Sequence, residues 1–107
     1  MDWIIESGRV CGLDEQGEII AEATFYEKPN GVYDIDHTYV VPRLRGRGIA
    51  DDMMRAAAGL MREKGTKVTA SCSYANIWLT RHKDEFADIV AQEIGNEALA
   101  CRLGVKK

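Results

Sequence analysis

The stretch Pro42-Arg43-Leu44-Arg45-Gly46-Arg47-Gly48-Ile49-Ala50 decides how this chain is read. An apolar, β-branched run, Thr38-Tyr39-Val40-Val41, leads into it, and a long helical pattern follows. Strand, glycine-rich turn and helix start, in that order, make an anion site. The first N–H groups of a helix have no partner within it, and the helix dipole places positive charge there. Gly46 and Gly48 let a ligand come close to the backbone. Arg43, Arg45 and Arg47 add guanidinium forks suited to phosphate. The loop reads as a cradle for a pyrophosphate; an ordinary arginine-rich turn with a glycine cap is the plainer alternative.

Two common phosphate loops do not fit. Asp51 stands where the dinucleotide fingerprint needs a small residue, and no Gly-Lys-Ser/Thr is present for a Walker loop. What remains, Arg43-x-x-Gly46-x-Gly48-x-Ala50, resembles the coenzyme A pyrophosphate loop of the GNAT N-acetyltransferase superfamily, whose signature is Gln/Arg-x-x-Gly-x-Gly/Ala. The resemblance extends to Ile35-Asp36-His37-Thr38, Lys67-Val68 and Ser71-Cys72-Ser73-Tyr74. Together these are similar to a branch of very small stand-alone GNAT proteins without the superfamily's N-terminal helices. Its pattern is His-Thr-x-Val, Arg-Gly-x-Gly-Ile/Leu-Ala, Cys-Ser-Tyr/Phe and Arg/Lys-His-Pro-Glu-Tyr. The last becomes Arg81-His82-Lys83-Asp84-Glu85-Phe86 here, with Lys83 in place of proline and Asp84 intruding. The likeness spans roughly residues 4 to 90.

The implied fold is α+β: a GNAT-like acyl-CoA N-acyltransferase with a mainly antiparallel sheet of four or so strands, a central cofactor helix and C-terminal helices. A chain of 107 residues suits one such domain, with residues 84–107 as an extra C-terminal helix. An apolar fraction of 46% beside 29% charge fits a globular protein. No run is long and apolar enough for a membrane, and no basic-then-apolar leader opens the chain, so a cytoplasmic protein is the expectation. Cys11, Cys72 and Cys101 are odd in number and widely spaced, so neither a disulfide framework nor a metal site is expected.

Local patterns place the elements. Ile4 to Leu13 and Glu18 to Tyr26 read as a hairpin about the turn Asp14-Glu15-Gln16-Gly17. Lys28-Pro29-Asn30-Gly31 turns the chain into a third strand, Val32 to Val41. Simple alternation puts Tyr33, Ile35, His37 and Tyr39 on one face and Asp34, Asp36, Thr38 and Val40 on the other. A helix from about Arg47 to Lys64 buries Ile49, Met53, Ala56 or Ala57, and Leu60, and Gly65 closes it. Lys67 to Cys72 is a fourth strand. Ser73 caps a short helix to about Arg81 that turns Trp78 and Leu79 inward, with His82 at its end near solvent. A last helix is expected from Asp84 to about Leu103, burying Phe86, Val90, Ile94 and Leu99 or Cys101.

Charge is unevenly spread. Residues 1–36 carry nine acids and two bases, and residues 37–83 carry nine bases and three acids. The basic middle suits an anionic cofactor and the acidic third a cationic amine, although charged residues also simply solvate opposite faces.

The resemblance implies an N-acetyltransferase moving acetyl from acetyl-CoA to an amine, small molecule or protein, by direct attack. The strand before the loop, at Val40 and Val41, would hold the pantetheine arm, with a backbone N–H near Val40 meeting the thioester oxyanion. The pyrophosphate would lie on the N–H groups from Arg45, Gly46, Arg47, Gly48 and Ile49 to Ala50. Local chemistry adds His37 as the candidate base. Cys72 stands where the family carries a cysteine near the coenzyme sulfur, and Tyr74 is the alternative acid for the departing thiolate. The structural alternatives are a sheet hydrogen bond for His37 and packing for Cys72 and Tyr74. A CoA-binding protein with little catalysis is a second reading. Nucleic acid is disfavoured by the acidic isoelectric point and the lack of an aromatic and basic stripe. Monomer and homodimer stay undecided.

Overall fold

Turn residues and β-branched runs divide the first forty residues more finely than their apolar pattern suggests. The computed structural model describes residues 3–91. Within them a five-stranded sheet has the order β1-β2-β3-β4-β5. The strands are β1 (Trp3–Glu6), β2 (Arg9–Leu13), β3 (Ile19–Glu27), β4 (Tyr33–Val40) and β5 (Val68–Ala70). The first four are antiparallel, and β5 pairs parallel to β4. The segment read as one strand from Ile4 to Leu13 is two, folded at Ser7-Gly8. Gly8 has φ +80, a Cβ there would sit 3.2 Å from the Phe25 carbonyl oxygen, and Phe25 N–H donates to Gly8 O at 3.0 Å. Glycine takes both the left-handed φ and that approach without strain.

Two helices cover one face. α1 (Ile49–Lys64) packs across β2, β3 and β4, and α2 (Ser73–Arg81) packs against β5 and β4. A 3₁₀ turn over Pro42–Leu44 precedes α1, which starts two residues later than its apolar spacing suggested. The core joins Val10, Phe25 and Ile35 of the sheet to Met54, Ala57, Ala58 and Met61 of α1 and to Trp78 and Leu79 of α2. A second cluster joins Ala21, Ala23 and Val40 to Met53. The apolar face of α1 is therefore centred on adjacent methionine and alanine pairs; Ile49 and Leu60 lie at its margins. Gly65 closes α1 in the left-handed region, donating to Arg62 O at 3.1 Å, while Thr66 N–H donates to Met61 O at 3.1 Å.

The alternation expected for β4 fails at Asp36. Pairing passes from Thr24↔His37 to Phe25↔Ile35, so Asp36 is an extra residue in β4. This bulge shifts the phase of the pleat. Ile35 and Val40 therefore both face the helices, while His37, opposite Thr24, lies on the uncovered face. Asp36 turns toward that face too and accepts a hydrogen bond from Thr24 Oγ1 at 2.8 Å.

The C-terminal part departs from its expected form. Residues 82–89 are consecutive turns and Val90 forms a parallel bridge to Val68, where a helix from Asp84 was expected. Val68 uses both of its backbone groups on this segment, with Ile89 O at 2.7 Å and Ala91 N–H at 2.9 Å. Phe86 and Val90 are buried as expected. Ile94, Leu99, Cys101 and the rest of that expected helix lie outside the described residues. Among the described residues no helix is long and apolar enough to cross a membrane.

Candidate active site

The sheet opens where β5 stops. Register contact between β4 and β5 ends at Ile35↔Ala70, and Cys72 N–H donates to Ile35 O at 3.1 Å before the chain turns into α2. β4 runs on to Val40 with that edge unpaired among the described residues. A cleft of about 500 Å³ fills the gap. Thr38, Tyr39 and Val40 form one wall, Leu44, Arg45, Gly46 and Gly48 of the loop the floor, and Ala50, Asp51 and Met53 the side of α1, with Tyr74 opposite.

The direction of the β4 backbone groups follows from their partners. Val41 N–H donates to Ile20 O at 2.9 Å, toward β3. N–H and C=O of one strand residue point the same way and alternate along the strand. Thr38 and Val40 therefore present their backbone groups to the cleft. Arg45 Nε–H, reaching Val40 O at 2.8 Å from the cleft side, fixes the same direction. The Val41 N–H, expected on sequence to help hold a ligand, is committed to β3.

The loop brings further donors to the same space. Pro42 has no N–H and ends strand pairing. The turn that follows is held by Leu44 N–H to Val41 O at 3.0 Å and Arg45 N–H to Pro42 O at 3.2 Å. Gly46 and Gly48 have φ +82 and +80, and a Cβ on either would meet nothing within 4 Å. Gly48 caps α1 without any side-chain hydrogen bond, and the first intrahelical bond runs from Asp52 N–H to Gly48 O at 3.1 Å. The N–H groups of Ile49, Ala50 and Asp51 precede that bond and have no acceptor within the helix. Arg47 is exposed, and Arg43 lies 3.6 Å from Asp14 of the β2–β3 turn.

Asp51 is the acidic exception on a helix end otherwise suited to anions. Its Oδ1 accepts from Trp78 Nε1 at 2.8 Å and its Oδ2 from Arg55 Nε at 3.1 Å. The indole bond first, then Arg55, holds its carboxyl below the ordinary range despite partial burial. Asp51 lines the cleft, and the only local signal for it is its place in the first helical turn, where acids are favoured. Tyr74 is 41% exposed on the opposite side. Burial first, then the Asp51 charge, pushes its phenol up, so it keeps its proton.

The other expected chemical residues stand apart. Cys72, not Ser73, is the N-cap position of α2, and no side chain caps that helix. The Cys72 thiol is half-buried against the core, 3.3 Å from Thr38 Oγ1, and Thr38 rather than Cys72 lines the cleft. His37 is exposed on the uncovered face and makes no side-chain hydrogen bond among the described residues. His82 ends α2, but it is half-buried: its ring stacks on Trp78 at 4.0 Å and its Nδ1 lies 2.8 Å from Trp78 O. Much of the acidic N-terminal third is used internally. Glu6 and Glu22 bind Arg9, Asp14 Oδ1 accepts from Gln16 and Glu18 N–H, and Asp34 Oδ2 accepts from Ser71 Oγ at 2.6 Å.

Comparison with known proteins agrees with this architecture. Residues 10–89 match the family model described as GCN5-related N-acetyl-transferase. No curated protein sequence matches the chain. A GCN5-like protein from Staphylococcus aureus, solved in solution by NMR, superposes with a TM-score of 0.69 at 27% identity, over 84% of this chain and 87% of that one. A ribosomal-protein-alanine N-acetyltransferase from Brucella melitensis biovar Abortus 2308 shares the fold at 21% identity and a TM-score of 0.53, over 71% of this chain and 64% of that one.

Proposed function

The chain belongs to the GCN5-related N-acetyltransferase family, and on that premise we propose that it binds acetyl-CoA in the cleft beside β4 and passes the acetyl group to an amine by direct attack. One observation carries this reading: an unpaired strand edge and an uncapped helix N-terminus open into the same cleft. The first suits an amide-bearing arm, the second a pyrophosphate. The residues also fit in size, because Gly46 and Gly48 leave free the space that a Cβ would take.

Acetyl-CoA supplies an activated acyl thioester. The Val40 N–H, aimed into the cleft, stabilises negative charge developing on an acyl oxygen. The loop N–H groups from Gly46 to Ala50, with Arg47 and Arg43 beside them, hold phosphate. Tyr74, protonated and facing the cleft, donates its proton to a departing thiolate. The incoming amine is the acceptor, and it approaches through the gap between β4 and α2. His37, Asp36 and Tyr39 lie on the uncovered side of that gap, where His37 takes the proton that the amine loses. A CoA-binding protein with little catalysis is the second reading. It is favoured by His37 lying off the cleft, as its lining shows.

The test is isothermal titration with acetyl-CoA, CoA and ATP at one salt concentration. Saturable binding of both CoA species well above ATP is expected. Equal, weak binding of all three would reduce the loop to a general phosphate attractor. Turnover of acetyl-CoA with an amine panel then separates the enzyme from the binding protein.

A further inference from the structure

We infer that Arg45 is a positioning residue for the Val40 peptide rather than a ligand of phosphate, an inference that rests on the acetyl-CoA reading above. The sequence groups Arg43, Arg45 and Arg47 as equivalent cations, but the structure separates them. All three are exposed, but their partners differ: Arg47 makes no side-chain hydrogen bond among the described residues and Arg43 is loosely held by Asp14 at 3.6 Å. Arg45 folds back over the end of β4, where its Nε–H meets Val40 O at 2.8 Å in a partly buried contact.

The local geometry makes that contact a clamp. Val40 C=O and Val41 N–H belong to one planar peptide group. Val41 N–H is bound to Ile20 O at 2.9 Å on the β3 side, and Val40 O to Arg45 on the cleft side. Both ends of the peptide are therefore anchored. The 3₁₀ turn fixes where Arg45 starts, through its own N–H to Pro42 O at 3.2 Å. A hydrogen bond from a charged donor is about twice as strong as a neutral one.

The clamp has a chemical consequence. A free Val40 carbonyl at the mouth of the cleft would accept an amide N–H from a ligand and draw it into register with that oxygen. With the Arg45 guanidinium on the cleft side of the carbonyl, one lone pair is taken and the approach to the other is crowded, so the neighbouring Val40 N–H is the open group for a ligand at this point of the strand. Arg45 thus selects which atom of the strand edge meets the acyl end of the ligand. Its contribution belongs to the pantetheine arm, not to the nucleotide.

Titration of the full chain with two probes separates these roles: CoA, and adenosine 3′-phosphate 5′-diphosphate, which keeps the phosphates and lacks the arm. Arg45→Ala should weaken CoA at least about tenfold, roughly 1.4 kcal/mol, and change the nucleotide by no more than about twofold. Arg45→Lys, which keeps one charged donor, should recover most of the CoA affinity. Retained nucleotide binding also shows that the variants are folded. Equal losses for both probes would make Arg45 a phosphate ligand, and no loss for either would make its bond to Val40 incidental; each overturns the inference. If the unaltered protein binds nucleotide but gains nothing from the arm, the acetyl-CoA reading fails first.

Discussion

Gly48→Ala tests the loop most directly, because Gly48 serves both the backbone and the cleft. Its φ of +80 and ψ of 4 lie in the left-handed region, and a Cβ there would meet nothing within 4 Å. The added methyl therefore meets no neighbouring side chain, and the stability cost is that of the backbone alone. Holding a non-glycine residue left-handed costs about 1–2 kcal/mol. For a domain of this size that lowers Tm by roughly 5–15 °C. Gly65, the other cap of α1, has φ +71 and is equally free of neighbours, so Gly65→Ala is the matched control. Urea or thermal unfolding should show similar losses for the two variants. Titration with CoA should not: Gly48→Ala should lose at least about tenfold, and Gly65→Ala should match the parent protein. The difference would arise because the Gly48 methyl enters the space proposed for phosphate beside the loop N–H groups. Parent-like CoA affinity in a folded Gly48→Ala variant would refute the cradle.

Three further outcomes follow from the site. Tyr74→Phe should lower kcat for acetyl transfer by about 10²-fold, the lower end for a lost general acid, with KM for acetyl-CoA little changed; an equal rise in KM would make the ring a binding surface. Cys72→Ala should retain turnover and CoA affinity, since the thiol packs against the core beside Thr38 rather than lining the cleft; a tenfold fall in kcat would return it to the chemistry. The Asp51 carboxyl, held low by Trp78 and then Arg55, stabilises the fold above the ordinary carboxylate pKa of about 3.9 and loses that contribution as pH falls through its lower folded value. Urea midpoints of Asp51→Asn and the parent should therefore differ at pH 7 and begin to draw together only as pH falls below about 4; a gap independent of pH would refute the assignment.

The loop and its helix were legible because the signals that specify them are local. Gly46, Gly48 and Gly65 have the positive φ that their place at helix ends requires, and Pro42 ends the strand that precedes them. Trp78 and Leu79 are buried as their spacing suggests. What escaped the sequence depends on partners far along the chain. The split between β1 and β2 rests on Gly8 meeting Phe25 across the turn. Among the described residues, the turns that replace a helix over 84–89 rest on Val68, whose free edge takes up Ile89 and Ala91 as backbone partners. Periodicity in that segment marks which residues are buried, and Phe86 and Val90 are, but the same burial is reached through turns and a single bridge. The roles of the three arginines were equally hidden, because one guanidinium looks like another until a carbonyl at the right place claims it.

The bulge at Asp36 explains why the candidate base and the cleft did not fall on one face. In a strand without it, Ile35, His37 and Tyr39 would share the helix side and Val40 would face away. The inserted residue reverses the phase after Ile35, so Val40 can pack on Met53 while Ile35 packs on α1 and α2. The same reversal aims the backbone of Thr38 and Val40 at the gap that β5 leaves open, since side chains and backbone groups shift phase together. It also turns His37 to the uncovered face. The phase shift places the backbone of Thr38 and Val40 at the cleft and the His37 side chain on the uncovered face. Under the proposed function, a second substrate would approach the acyl carbon from the His37 side of the gap between β4 and α2 while the phosphates stayed on the loop. This arrangement comes from one extra residue in one strand, and alternation read along a single chain does not reveal it, because the residue that makes Asp36 extra is Thr24 on the neighbouring strand.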